Sequence, residues 1–172
     1  TRSCSIDIGN VVTNGGDVRL LVKRASAALP IYCQNITTNG GDFIVDRIDL
    51  ANSNNVNFTS EGLISTGGGD VAVSLVGNIN INAGINVGAG TLSFSGTNTN
   101  LSSAITATGN VTISSVLNFS AGSSISTNGS ITFTSTANMN AGGSLTLSAT
   151  DFNFQNTFTG NAGSLTLQPN TV

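Results

Sequence analysis

The stretch Leu117-Asn118-Phe119-Ser120-Ala121-Gly122-Ser123-Ser124-Ile125-Ser126-Thr127-Asn128-Gly129-Ser130-Ile131-Thr132-Phe133-Thr134 contains three apolar–polar alternations separated by small-residue turns. Alternation with period two is the signature of a strand with one buried face. Ala121-Gly122-Ser123-Ser124 and Asn128-Gly129 turn the chain, Asn and Gly because both tolerate positive φ. Three short strands and their turns in about 20 residues make one triangular rung of a parallel β-helix.

The third strand of this rung recurs with a glycine before it. It is found as Gly16-Asp17-Val18-Arg19-Leu20, Gly41-Asp42-Phe43-Ile44-Val45, Gly69-Asp70-Val71-Ala72-Val73 and Gly90-Thr91-Leu92-Ser93-Phe94. It continues as Gly109-Asn110-Val111-Thr112-Ile113, Gly129-Ser130-Ile131-Thr132-Phe133, Gly143-Ser144-Leu145-Thr146-Leu147 and Gly163-Ser164-Leu165-Thr166-Leu167. The glycines are 25, 28, 21, 19, 20, 14 and 20 residues apart. The expectation is therefore an all-β parallel β-helix of about eight triangular coils, a rod of roughly 40 Å. Residues 1–172 read as one solenoid, with less regular coils over 1–55 and regular ones over 56–172.

The first face is expected at Ile6/Ile8, Val56/Phe58, Ile79/Ile81, Leu117/Phe119 and Phe152/Phe154, and the second at Ile36, Ile64, Ile85/Val87, Ile105 and Ile125. The long spacings place insertions at about 23–31 and 46–55, holding Lys23, Arg24, Asp46, Arg47 and Asp49. Leu20 to Leu29 is the one stretch that passes for a short helix, ended by Pro30. The interval of 14 residues from Gly129 to Gly143 is too short for a full coil, so one face is expected to collapse there.

Charged residues make up only 8% of the 172, with a net charge of −3. All five basic residues (Arg2, Arg19, Lys23, Arg24, Arg47) lie in the first fifty positions, and Asp151 is the one charged side chain from Val71 onward. Nucleic-acid binding has little electrostatic support in such a chain. No apolar run is long enough to span a bilayer as a helix, so membrane insertion is not expected. The chain begins at Thr1 without a signal peptide and reads as a mature or excised piece. An uncharged hydroxyl- and amide-rich surface fits a wall that packs against copies of itself, end to end or laterally, a glycosylated wall, or one stretch of a larger secreted protein. Cys4 and Cys33 precede successive Thr-Asn-Gly-Gly-Asp phrases, 13–17 and 38–42. If those coils are adjacent, the two cysteines lie on neighbouring rungs within disulfide range, which implies an oxidising compartment; two buried thiols are the alternative.

The phrases Ala-Thr-Gly-Asn-Val-Thr-Ile-Ser (107–114) and Ala-Gly-Gly-Ser-Leu-Thr-Leu-Ser-Ala (141–149) resemble repeats of filamentous-haemagglutinin-type exoproteins, the large adhesins of two-partner secretion. The likeness covers about residues 56–167. It implies a right-handed β-helix of near-20-residue coils, secretion, and contact with host or cell-surface glycans or proteins. The secretion domain of that family, with its Asn-Pro-containing motif, is not recognisable in this sequence.

Catalytic chemistry has few candidates. With no histidine, the usual general base and the Ser-His-Asp arrangement are excluded. Asp17, Asp42 and Asp70 share one phase of the first three coils and are the candidates for a Ca²⁺ site or an acid pair. The plainer reading is turn chemistry, because later coils place Thr91, Asn110, Ser130, Ser144 and Ser164 at that phase without disturbing the pattern. Gly67-Gly68-Gly69 lacks the Lys of a phosphate loop and reads as a turn. No metal or cofactor is expected. Phe58, Phe94, Phe119, Phe133, Phe152 and Phe154 fall at inward phase, while the pattern assigns none to Tyr32 or Phe158. The sequons at Asn35, Asn57, Asn100, Asn110, Asn118 and Asn128 are what chance supplies in a chain this rich in Asn, Ser and Thr. Thr112, Thr132, Thr134, Thr146 and Thr166 at outward phase would form a flat hydroxyl array resembling ice-binding solenoids, although Ala72, Ser93 and Ser95 interrupt that phase. The expected function is thus a non-enzymatic, extracellular structural or adhesive solenoid, a segment of a surface adhesin or a filament subunit. A polysaccharide-active β-helix enzyme and an ice- or glycan-binding wall are the alternatives.

Overall fold

In the computed structural model, residues 5–23, 28–47, 55–139, 144–160 and 163–170 are described. They form an all-β parallel solenoid of about seven turns with three walls. The first wall stacks Ile6–Ile8, Leu29–Cys33, Val56–Ser60, Asn78–Ile81, Asn98–Leu101, Val116–Phe119, Ala137–Met139 and Phe158–Gly160. The second stacks Val11–Val12, Ile36–Thr37, Ile64–Ser65, Ile85–Asn86, Ala104–Ala107, Ser123–Thr127, Ser144–Ala149 and Ser164–Pro169. The third holds seven strands: Val18–Val22, Phe43–Arg47, Val71–Ser74, Leu92–Ser95, Val111–Ile113, Ser130–Phe133 and Asp151–Phe154.

Strands of two to six residues persist because each hydrogen-bonds to the same wall in the coils before and after it. The register makes the inward side chains continuous ladders. On the second wall Val11, Ile36, Ile64, Ile85, Ile105, Ile125, Leu147 and Leu167 lie one over another. On the third, Leu20, Val45, Val73, Phe94, Ile113, Phe133 and Phe154 do the same. Most of these residues are fully buried, and each such side chain contributes roughly 1.5–3 kcal/mol. Toward the later coils the ladder turns aromatic. Phe133 stacks on Phe154 with ring centroids 5.2 Å apart, and Phe119 on Phe158 at 6.4 Å.

Several expectations are corrected. The phrases beginning at Gly143 and Gly163 do not continue the third face: Ser144–Ala149 and Ser164–Pro169 belong to the second wall. Phe152 and Phe154 lie on the third wall, opposite Ile131 and Phe133, rather than on the first. No face collapses after Gly129, since Ser130 pairs with Asp151 at a normal coil length. The alternation that defines the phrase is common to all three walls, so the phrase changes wall while the winding continues.

The helix-like stretch is split between strands Val18–Val22 and Leu29–Cys33, with 24–27 outside the described residues. The inserted loops are shorter than expected, because Phe43–Arg47 and Leu29–Cys33 extend into them. Arg47 is not in a loop: it lies at an inward phase opposite Val22, only 8% exposed. Arg24 and Asp49 lie outside the described residues.

Candidate functional site: the corners and outer walls

Where the second wall turns into the third, glycines stack on glycines. A Cβ placed on Gly41, Gly69, Gly90 or Gly109 would meet backbone atoms of the preceding coil closer than 3.0 Å. The coils touch there through bare backbone. Each of the early corners is also tied by a threonine. The Thr66 hydroxyl lies 2.6 Å from the Gly69 carbonyl in its own turn and 2.8 Å from the Val87 carbonyl of the next coil. Thr38 repeats this with Gly41 and Thr66, and Thr13 with Gly16 and Thr38. Within the second of these turns Asn39 adopts φ 54° and Gly40 φ 112°, a left-handed pair that suits these two residue types.

Asp17, Asp42 and Asp70 are stacked on successive rungs of this corner, as their shared phase implies. Their carboxylates are spent on backbone. Asp17 accepts the Asp42 N–H at 3.0 Å, Asp42 accepts the Asp70 N–H at 2.9 Å, and Asp70 accepts the Thr91 N–H at 2.7 Å. Asn110 does the same for Ser130 at 3.0 Å. The acceptor oxygen in this role is charged in the first three coils and neutral at Asn110. Among the described residues, no three carboxylates or thiols converge as a metal-binding group.

The Asp42 N–H, with further help from Arg19 at 3.2 Å, holds the Asp17 carboxyl below the usual aspartate range against some desolvation. The sign follows: the stabilisation Asp17 gives is complete above the unfolded aspartate pKa. It is lost as pH falls through the lower folded value.

The outer face of the first wall carries a feature that the sequence reading missed. The Asn80, Asn100, Asn118 and Asn138 carboxamides form a ladder, each side-chain N–H₂ donating to the amide oxygen one rung earlier at 2.7, 3.0 and 3.1 Å. Thr59 and Thr159 close its two ends. Asn98 donates to Asn78 beside it at 3.0 Å. The visible signal was Asn recurring between inward residues at coil-length spacing. Sequon residues Asn100 and Asn118 are members of this ladder, and the side-chain oxygens of Asn35, Asn57 and Asn110 accept backbone N–H groups of the next coil. The Thr array is broken up: Thr112 and Thr132 stack on the third wall, while Thr146 and Thr166 stack on the second.

Cys33 is buried on the first wall between Ile8 and Ser60, and burial pushes its thiol pKa up to about 12. Cys4, its expected partner, lies outside the described residues. A maleimide is expected to leave Cys33 unmodified in the folded protein, read by peptide mass. After unfolding without reductant, modification of Cys33 means a free thiol, and protection means a bridge to Cys4.

Near the start of the first wall, Tyr32 points outward between the inward residues Ile31 and Cys33 and is half-buried. With Asp7, Ile8, Gly9, Gln34 and Glu61 it lines a shallow cleft of about 280 Å³. Gln34 donates to Glu61 across it at 2.8 Å. A second, apolar hollow of about 510 Å³ lies against Ile6, Leu20, Leu21 and Leu29.

Comparison with protein-family models, curated proteins and solved structures finds no match to this chain. The likeness to filamentous-haemagglutinin repeats thus rests on coil period and phrase in the sequence.

Proposed function

We propose that this chain is a non-enzymatic structural or adhesive rod that works outside the cell, as a segment of a surface adhesin or a subunit that assembles with copies of itself. The observation that carries the reading is the division of labour across each strand. Apolar ladders fill most of the interior, interrupted by the inward side chains of Arg47, Ser60 and Thr99, and almost uncharged hydroxyl and amide columns cover the three walls. Such walls favour many weak polar contacts over one reactive centre. The enzyme alternative draws no support from Asp42 and Asp70, whose oxygens are engaged by backbone N–H groups of the next coil.

The test pairs localisation with activity. Antibody labelling of intact, unpermeabilised source cells is expected to detect the chain, and negative-stain images to show rods, single or joined. A strictly intracellular signal overturns the reading. So does release of reducing sugar from polysaccharides that is abolished by Asp42→Asn or Asp70→Asn. Asparagine keeps the acceptor oxygen, as Asn110 does, so these variants remove the charge and spare the corner.

A further inference from the structure

We propose that the cleft around Tyr32 is a binding site for a neutral saccharide, a ligand class that rests on the adhesive reading above and makes it specific. Tyr32 is the one tyrosine of a chain without tryptophan. It is placed where an outward ring is unusual: the same column continues as Thr59, Asn80, Asn100, Asn118 and Asn138. Its ring offers an apolar face to the C–H side of a sugar, and its hydroxyl offers one donor and an acceptor.

The polar groups around the ring fit hydroxyls. Gln34 and Glu61 present an amide and a carboxylate one rung apart, and Asp7 presents a second carboxylate one rung before Tyr32. All three are exposed. Among the described residues no cation lines the cleft, so its two carboxylates repel sialic and uronic acids and leave neutral sugars favoured. Gly9 lines the cleft, and a Cβ added there meets nothing within 4 Å, so a side chain at this position is accommodated without moving the backbone. An aromatic platform with a few convergent polar groups in a concavity is the general form of a small-ligand site.

The single tyrosine makes the test direct, since its emission reports on the cleft alone. The purified chain is titrated with neutral gluco-, manno- and galacto-oligosaccharides and with uronic-acid oligosaccharides, followed by tyrosine emission and calorimetry. A saturable change with at least one neutral oligosaccharide is expected, and none with the uronic acids. Gly9→Leu, which sets a bulky side chain on the lining of the cleft, is expected to weaken binding at least tenfold with unchanged circular dichroism. Tyr32→Ala, followed by calorimetry, is expected to do the same. If Tyr32→Ala fails to fold, Gly9→Leu still decides. Silence of the wild-type protein toward all neutral probes overturns the proposal, as does binding that both variants retain or a preference for uronic acids. Those failures leave the surface-labelling result standing, and a failed surface labelling leaves saccharide binding intact, so the two readings fall separately.

Discussion

Phe94→Ala is expected to destabilise the protein by about 3–5 kcal/mol, the usual cost of emptying an aromatic site in a closed core. Phe94 is fully buried in the middle of the rod, directly between Val73 and Ile113. Both neighbours are held by their own backbone ladders, so neither can close the gap without breaking register. Ser93→Ala, one residue away on the outer face, is the control and is expected to change stability by less than about 0.5 kcal/mol. Urea denaturation followed by circular dichroism measures both. Comparable losses in the two variants would mean that the interior ladders do not carry the fold.

Gly69→Ala and Gly84→Ala make the same chemical change and are expected to shift stability in opposite directions. At Gly69 the new methyl would collide with the carbonyl carbon and oxygen of Gly41, backbone atoms that no rotamer change can move. The two coils must separate at their closest corner, at a cost of roughly 2–3 kcal/mol by the usual scale of overpacking. At Gly84 the nearest atom is a Leu63 methyl at 3.5 Å, ordinary contact, and the backbone there is not left-handed. Alanine then restricts mainly the unfolded chain and is expected to stabilise by up to about 1 kcal/mol. The pair is read in one denaturation series. Equal effects of either sign would remove the argument for backbone-on-backbone stacking.

The solenoid was legible in the sequence because burial and strand period coincide. Ile36, Ile64, Ile85, Ile105 and Ile125 announce a ladder, and the register places them on one another. What the phrases do not encode is which wall they occupy. Gly-Ser-Leu-Thr-Leu alternates equally well on any face, so residues 143–147 and 163–167 were assigned by likeness to a wall they do not belong to. Only pairing with Ser123–Thr127 settles their place.

The candidate site was less visible for a related reason. Tyr32 follows an insertion, which breaks the count from the previous coil, and its phase is fixed by strands on either side. The Asp corner was readable as turn chemistry, although that each oxygen serves the next coil rather than its own turn emerges only from three dimensions. Arg47 was misplaced because a charge beside an insertion suggests a loop, whereas strand pairing with Val18–Val22 carries it inward.

The backbone hydrogen bonds of all three walls run along the rod's axis, from one coil to the next. Tension applied end to end therefore pulls on them lengthwise, and an end coil, paired on one side only, yields before the interior ones. Such a rod yields by uncoiling in steps, each releasing about 20 residues, or roughly 60–65 Å of extended chain in place of one rung spacing. It behaves as a tether that lengthens under load, surrendering one turn while the remainder keeps its shape.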